Sequence, residues 1–137
     1  MLIIPEDDVV SLVHHMLALE GQSCNEVSLH FVTTEEICLL HKEFFDDPSP
    51  TDCISFPIDI EACDGYRVLG DIFVCPETAL IYSKTHDLDA NKEVALYIVH
   101  GLLHVLGYDD IEESDIVVMR EAERRHMKNL ESKGLLW

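Results

Sequence analysis

Apolar residues recur along this chain with two periods, and each change of period marks a change between helix and strand. The first period is that of an amphipathic helix, with five apolar residues spaced to fall on one face: Val9, Leu12, Val13, Met16 and Leu17. Gly21 is expected to end this helix. Apolar and polar residues then alternate over 27–31, which predicts a half-buried strand whose His30 faces away from the core.

A second helix is predicted to begin at a capping box between Thr33 and Glu36. In such a box the threonine hydroxyl accepts from the backbone N–H of the glutamate, whose side chain reaches back to the threonine backbone. Phe44 is expected on the inner face of this helix. The Asp-Asp-Pro-Ser-Pro segment over 46–50 ends the helix, because a helix interior does not tolerate proline.

Two segments rich in β-branched and aromatic residues follow, 53–58 and 68–75, and they are predicted to be strands in the middle of the sheet. A helix is predicted over about 76–86. Asp89 then opens a helix with apolar residues in nearly every direction, which indicates the buried central helix. The last helix carries an inner apolar stripe: Ile116, Met119, Ala122 and Leu130.

Together these elements predict one α+β domain over residues 1–137. It should contain a small mixed sheet of about four strands packed with helices. With 137 residues, 47% of them hydrophobic, the chain is long enough for one core. The sequence contains no internal repeat or low-complexity segment.

The charge balance is strongly acidic, with 9 Lys+Arg against 27 Asp+Glu and a formal net charge of -18. This is opposite to the usual charge of a nucleic-acid binder, so direct unaided binding to RNA is disfavoured. The acidic charge suits association with a basic protein partner, or it simply keeps the protein soluble.

A single basic stripe recurs at every fourth position of the last helix, formed by Arg120, Arg124 and Lys128. An ordinary solvated face, neutralised by neighbouring glutamates that include Glu123, explains this stripe better than a contact with phosphate.

The five cysteines are odd in number and form no C-x-x-C pair. They are interpreted as small buried hydrophobes of a reducing compartment, not as a disulfide frame or zinc knuckle. The N-terminal apolar run leads directly into Pro5 and acidic residues, which is untypical of a signal peptide. No apolar run approaches the roughly 20 residues that span a bilayer. A cytoplasmic protein without membrane contact is expected.

The residues suited to chemistry are concentrated between His100 and Asp110. His100 and His104 stand four residues apart in the central helix, so both project from one face about one turn apart. Gly107 can end the helix in a left-handed conformation, and the reversed chain can return Asp110 to the histidines. This predicts a divalent metal held by His100, His104 and Asp110, with weaker alternatives at the third position: Asp109, Glu112, Glu113 and His126.

The spacing is that of a zincin signature with two departures. Gly101 occupies the place of the general-base glutamate, which ranks a zinc peptidase lowest. Two interpretations explain the absence of a side chain at Gly101: it lets a neighbouring group or a substrate approach, or it allows close packing of the helix. Asp110 occupies the place of a third histidine and lowers the positive charge of the site. Zinc is the first expectation for the metal, although these ligand types also suit nickel, manganese or iron.

The run His-Gly-x-Leu-His-x-Leu-Gly-Tyr-Asp resembles the signature of the YbeY family of rRNA-maturation endoribonucleases. Two further segments, 50–57 and 69–75, are similar to family segments and occur in the family order. The similarity runs from about Val27 to about Glu123. The resemblance implies a metal-dependent, single-strand-specific endoribonuclease for small-subunit (16S) rRNA maturation and ribosome quality control. Its partners would be precursor rRNA and, given the acidic charge, a basic small-subunit ribosomal protein.

The chain departs from the family pattern where the chemistry is expected. The third metal ligand of the family is usually histidine, but here it is Asp110. The family usually shows an aromatic residue, an arginine and a further basic residue where this chain has Phe44, Phe45 and Asp47. A guanidinium is the natural partner of a phosphodiester. Either another cation serves, or catalysis is weak, or the protein is a ribosome-assembly binding protein with a mainly structural metal.

Three polar residues are candidates for substrate binding, because they interrupt a segment bracketed by prolines: Thr51, Asp52 and Ser55. They are expected to face a cleft between the sheet edge and the central helix that carries His100 and His104. Helix capping or turn hydrogen bonds explain Thr51 and Asp52 equally well.

Overall fold

The computed structural model describes residues 2–137, within which the chain forms five helices and three strands. In chain order they are α1 (Glu6–Leu19), β1 (Glu26–Phe31), α2 (Thr34–Phe45), β2 (Cys53–Glu61), β3 (Arg67–Val74), α3 (Pro76–His86), α4 (Ala90–Val105) and α5 (Glu113–Ser132). Two helix starts confirm the predicted N-caps, although the Glu36 carboxylate accepts from the Thr33 hydroxyl and not from the Thr33 backbone as a full capping box requires. The Thr33 hydroxyl accepts from the backbone N–H of Glu36 at 3.2 Å, and Asp89 accepts from that of Asn91 at 2.9 Å.

The sheet has the strand order β1-β3-β2, with β1 parallel and β2 antiparallel to β3. The α+β class and the mixed sheet are therefore confirmed, but residues 2–137 form three strands instead of about four. Only three segments of the sequence carry a strand pattern, so no fourth segment was available. The prediction that both 53–58 and 68–75 lie in the middle of the sheet is wrong for the first of them, since β2 is an edge strand.

Helix α4 is the central helix, as predicted, and packs against β2, β3, α3 and α5. Its fully or almost fully buried residues include Val94, Ile98, Leu102 and Leu103. Neither α4 nor any other helix within residues 2–137 is long and apolar enough to cross a membrane. A smaller cluster around Ile37 lies between α2 and the sheet. The sheet therefore separates α2 from α4, which carries the candidate site.

Several predictions of burial are wrong, each for a local reason. Phe44 is 55% exposed, because it lies in the last turn of α2, where its ring packs edge-on against Phe56 of β2. Ile116 is 38% exposed in the first turn of α5. Glu123, expected on a solvated face, is only 5% exposed. All five cysteines are free, but only Cys75 is buried, three are partly buried, and Cys63 is exposed in the loop between β2 and β3.

Candidate metal site

His100 and His104 lie one turn apart on α4, at the part of this helix that reaches the surface. Their side chains are 21% and 20% exposed, whereas their neighbours on α4 are buried. The two rings are nearly perpendicular, at an interplanar angle of 82°, and their Nε2 atoms are 3.0 Å apart. The predicted helical face therefore brings two imidazole nitrogens to one point.

The chain reverses directly after α4, over residues 106–110, which we call the metal-site turn. Gly107 has φ 106, a left-handed conformation that glycine adopts without a steric penalty. The backbone N–H of Tyr108 donates to the carbonyl of Leu103 at 3.0 Å and closes the reversal. As a result, Oδ2 of Asp110 lies 3.6 Å from His100 Nε2 and 3.4 Å from His104 Nε2.

The other candidates for the third ligand have different surroundings. The Asp109 carboxylate accepts from the backbone N–H of Asp110 at 3.1 Å and so stabilises the turn itself. Glu112 and Glu113 are exposed. His126 contacts Glu20 at 3.1 Å. Within residues 2–137, the one group of potential metal ligands whose atoms lie within 4.8 Å of one another consists of His100, His104 and Asp110.

The partners of the two imidazoles favour the tautomer with hydrogen on Nδ1 of each ring. His104 Nδ1 lies 3.1 Å from the carbonyl oxygen of Tyr108, and His100 Nδ1 lies 2.7 Å from Glu123 Oε1. Both partners are acceptors, so each Nδ1 donates and each Nε2 of the neutral ring presents its lone pair. Two lone pairs and the Asp110 carboxylate then face one another without a hydrogen between them. A cation at their centre would remove this repulsion.

The distances between these atoms also suit a small divalent ion. Zinc bonds of about 2.0–2.1 Å in a tetrahedron place neighbouring ligand atoms about 3.3–3.4 Å apart. The three observed separations are 3.0, 3.4 and 3.6 Å. Three protein ligands leave one coordination position free, and the 41% exposure of Asp110 shows that the site opens to solvent. The residues present therefore fit a metal with an accessible position.

Glu123, predicted to lie on a solvated face, instead contacts the candidate site. Its side chain is 6% exposed and bonds both His100 and Arg120. Burial alone would raise the pKa of Glu123, but the hydrogen bonds from these two residues outweigh burial and lower it. The carboxylate is therefore ionised and can orient His100. The spacing of Glu123 and His126 from Met119 places both on the buried stripe of α5, and that signal could have identified them.

A second polar cluster holds the metal-site turn against α1. The Tyr108 hydroxyl donates to Glu20 at 2.6 Å, and His126 and Arg125 also contact this carboxylate. Burial would raise the pKa of Glu20, but the hydrogen bonds from Tyr108 and His126 and the nearby positive charge lower it. An ionised Glu20 next to α1 thus anchors the turn that carries Asp110.

Gly101 is a packing requirement. A Cβ at this position would lie 2.5 Å from Ile72 Cγ2 and 2.9 Å from Cys53 Sγ. The Ser55 hydroxyl donates to the Gly101 carbonyl at 3.3 Å. Of the two interpretations of Gly101, close packing of α4 on the sheet accounts for the residue, and the space is filled by the protein's own atoms.

Of the three predicted substrate residues, Ser55 lies against α4, and the other two lie at the corner that leads into β2. The Thr51 hydroxyl donates to Asp52 at 3.4 Å, and the carbonyl of Thr51 accepts from the Thr78 hydroxyl at 3.1 Å. These contacts fix the position of the corner that leads into β2. The Asp52 carboxylate is exposed. The pKa of Arg120 is raised mainly by the hydrogen bond and charge of Glu123. The negative charges of Asp110 and Asp52 raise the pKa of Arg120 further.

Comparison with known proteins places this chain within a known family. The family model described as "Endoribonuclease YbeY" matches residues 3–131. An endoribonuclease YbeY of Protochlamydia amoebophila is 51% identical over 125 residues, which cover 91% of this chain and 83% of the relative. The endoribonuclease YbeY of Chlamydia trachomatis serovar D is 40% identical over 114 residues, or 82% of this chain and 71% of the relative. The endoribonuclease YbeY of Finegoldia magna is 37% identical over 105 residues, which cover 77% of this chain and 69% of the relative.

A solved structure also has this fold. The solution structure of TM1509 from Thermotoga maritima aligns with a TM-score of 0.68 and 24% sequence identity. The alignment covers 93% of this chain and 81% of that protein. At this level of identity the likeness concerns the fold alone.

Proposed function

The chain belongs to the endoribonuclease YbeY family, and from this premise we propose that it is a metal-dependent, single-strand-specific endoribonuclease of the cytoplasm. Its proposed role is small-subunit (16S) rRNA maturation and ribosome quality control. The observation that carries the proposal is the convergence of two imidazole lone pairs and one carboxylate, separated by 3.0 to 3.6 Å, on a site open to solvent.

His100, His104 and Asp110 would hold one divalent ion, with zinc proposed first. A bound ion supplies Lewis-acid polarisation of a phosphoryl oxygen and makes a water ligand more acidic. The protein's own contribution is positional. Glu123 and the Tyr108 carbonyl keep hydrogen on Nδ1 of the two rings, which leaves both Nε2 atoms free to act as ligands.

Thr51, Asp52 and Ser55 are proposed to form the substrate-facing wall of the site. The support is positional: Ser55 bonds the α4 backbone between the two histidines, and the exposed Asp52 carboxylate interacts electrostatically with Arg120 on α5. A substrate strand would therefore lie between the start of β2 and α5.

A binding protein for ribosome assembly, with a mainly structural metal, is the second candidate. It is favoured by two residues that differ from the family pattern, Asp110 and Phe45, and by the net charge of -18. The open geometry favours the enzyme, because structural zinc sites are typically closed by four protein ligands. Here three ligands are available, and Asp110 is 41% exposed.

Precursor rRNA and a basic small-subunit ribosomal protein are the proposed partners. The support is the excess of 27 acidic over 9 basic residues, which disfavours unaided RNA binding and favours a basic protein surface. Association with small-subunit components should weaken steeply with salt, because exposed charges are screened within about 8 Å at physiological ionic strength. Association that persists unchanged in high salt would contradict a charge-based interface.

The test combines metal analysis with RNA cleavage. Protein purified without chelator and without tag histidines should contain one metal ion per chain. It should cleave single-stranded RNA faster than the same sequence in a duplex, and a chelator should stop cleavage. His104→Ala should lose both metal and cleavage, whereas the exposed His14→Ala serves as the matched control and should retain both. Full metal content and binding to ribosomal subunits without cleavage would favour the assembly protein.

A further inference from the structure

The guanidinium of Arg120 lies at the rim of the candidate metal site. Arg120 is on α5, one turn before Glu123, and its Nη1 lies 2.9 Å from each carboxylate oxygen of that residue. Glu123 in turn bonds the ring of His100. Arg120 is thus two hydrogen bonds away from a proposed ligand. Its side chain is nevertheless 62% exposed, against 6% for Glu123.

Only part of the Arg120 guanidinium is occupied by this contact. Within residues 2–137 its hydrogen bonds are formed by Nη1 alone. Nε and Nη2 lie on the other edge of the planar group, where their N–H bonds point in the same direction. This edge is the fork that binds two oxygens of a phosphate or carboxylate. Arg120 therefore presents a free, oriented fork to solvent beside the site.

The charges of the site give this fork a function. Three carboxylates, those of Asp52, Asp110 and Glu123, would outweigh a divalent ion by about one negative charge, and Arg120 brings the net charge of the site to about zero. The geometry that joins Arg120 to the site is its contact with Glu123, which bonds His100. The negative charges of Asp110 and Asp52 add to the raised pKa of Arg120. An anionic phosphodiester approaching the metal would meet Arg120.

Three other basic residues form ion pairs away from the metal ligands. Arg125 contacts Glu20 at 3.4 Å, Arg67 bonds Asp59 at 2.8 Å, and Lys92 bonds a glutamate of α5 at 3.0 Å. We propose that Arg120 is the phosphate-binding residue of this chain and contacts the phosphodiester of RNA at the metal site. This inference rests on the proposed function and assigns the cation that the segment before Thr51 lacks.

Binding of inorganic phosphate to the zinc-loaded protein tests this assignment without RNA cleavage. By titration calorimetry at constant ionic strength, Arg120→Gln should weaken phosphate binding about tenfold, because a charge-assisted hydrogen-bond pair is lost. Arg120→Lys should give an intermediate affinity, since lysine keeps the charge but not the fork. Arg124→Gln is the matched control, because it removes the same charge one turn along α5 from an exposed residue. Its affinity should stay within about twofold of the wild type.

Three results would overturn the assignment. Equal phosphate affinity in wild type and Arg120→Gln would show that this side chain does not bind phosphate. An equal loss of phosphate affinity in Arg124→Gln would show that phosphate binding depends on the overall charge of α5 and not on Arg120. Loss of zinc from Arg120→Gln would mean that Arg120 acts only through Glu123. Arg120-dependent phosphate binding in a protein that cleaves no RNA would support the phosphate contact and contradict the nuclease proposal, so the two failures are distinguishable.

Discussion

The hydroxyl of Tyr108 donates to the Glu20 carboxylate at 2.6 Å, although the two residues are 88 positions apart in the chain. Through its main-chain carbonyl the same tyrosine accepts a hydrogen bond from His104 Nδ1. Tyr108 also lies two residues before Asp110 in the metal-site turn. One contact with the end of α1 therefore fixes both the orientation of one proposed ligand and the position of another.

Tyr108→Phe should weaken the site without removing a ligand. The variant leaves the ionised Glu20 without one donor, so the free energy of unfolding should fall by about 1–2 kcal/mol. Zinc affinity should fall several-fold, because the turn loses its anchor. Urea unfolding of metal-free protein and competition with a chromophoric chelator measure the two effects. Tyr82→Phe is the control, since its hydroxyl forms no hydrogen bond within residues 2–137. Equal changes in both variants would refute the anchoring role.

Glu123→Gln should lower zinc affinity by about 10- to 100-fold, the usual effect of losing an outer partner of a metal-bound histidine. The amide retains an oxygen that can accept from His100 but no longer carries the charge that holds Arg120. Glu121→Gln removes an equal charge from an exposed position of the same helix and should leave zinc affinity unchanged. Zinc affinity that is the same in Glu123→Gln and wild type would show that His100 is oriented without this carboxylate.

The third ligand position can be tested in both directions. Asp110→Ala should strongly weaken zinc binding, whereas Asp109→Ala should affect it less, because Asp109 bonds the turn backbone. Asp110→His should bind zinc more tightly and shift the pH–rate profile of RNA cleavage to lower pH, since the site gains about one unit of positive charge. Elemental analysis and chelator competition measure binding. Unchanged zinc affinity in both Asp110 variants would show that residue 110 does not contact the ion.

The buried His126 should make the metal-free protein less stable as pH falls. Burial lowers its pKa, and the contact with Glu20 offsets only part of this effect. Below the unfolded histidine pKa of about 6.5, the unfolded chain therefore binds more protons than the folded one. The stability contributed by neutral His126 is present above that pH and is lost as pH falls towards the lowered folded pKa.

Measuring the free energy of unfolding between about pH 7.5 and 5.0 tests this effect. In this range the carboxylates of the unfolded chain, with pKa values near 4, remain mostly ionised, so the change reports on histidine. The decrease in stability over this range should be smaller in His126→Gln than in wild type. In the control variant His14→Gln, which changes an exposed histidine, the free energy of unfolding should decrease by as much as in wild type. A wild-type and a His126→Gln curve of equal slope would contradict the proposed titration.

The parts of the structure that the sequence predicted are those determined by residues close together in the chain. Thr33 and Asp89 cap helices through backbone groups two or three residues away. The group of His100, His104 and Asp110 spans one helical turn and one glycine reversal, so the helix period and Gly107 were enough to predict it.

The parts that were missed depend on packing between distant segments. Glu123 reaches His100 only because α5 packs on α4, and Glu20 reaches Tyr108 only because α1 ends beside the metal-site turn. The position of β2 at the sheet edge likewise follows from strand pairing over long separations. Local patterns indicate which residues face inward, but they do not specify which inward faces meet.

Phe45 allows the phosphate contact to be moved within the site. By resemblance it occupies the position of the family's arginine, and it is 55% exposed, so a charged replacement there need not be buried. Phe45 packs against Phe56 on the α2 side of the sheet, so the resemblance alone supports this prediction. On that premise, Phe45→Arg in the Arg120→Gln background should restore a guanidinium to the substrate phosphate. Such a group contributes roughly 2 to 4 kcal/mol, or about 30- to 1,000-fold in the cleavage rate.

The comparison needs four proteins: wild type, each single variant and the double variant, all with equal zinc content and confirmed folding. Phe45→Lys in the Arg120→Gln background is the control for charge without the planar fork and should restore less activity. In wild type, Phe45→Arg should add little, because Arg120 already binds the phosphate. An increase as large in wild type as in the Arg120→Gln background would show that the two guanidinium groups act independently, and Arg120 would then not replace the missing arginine.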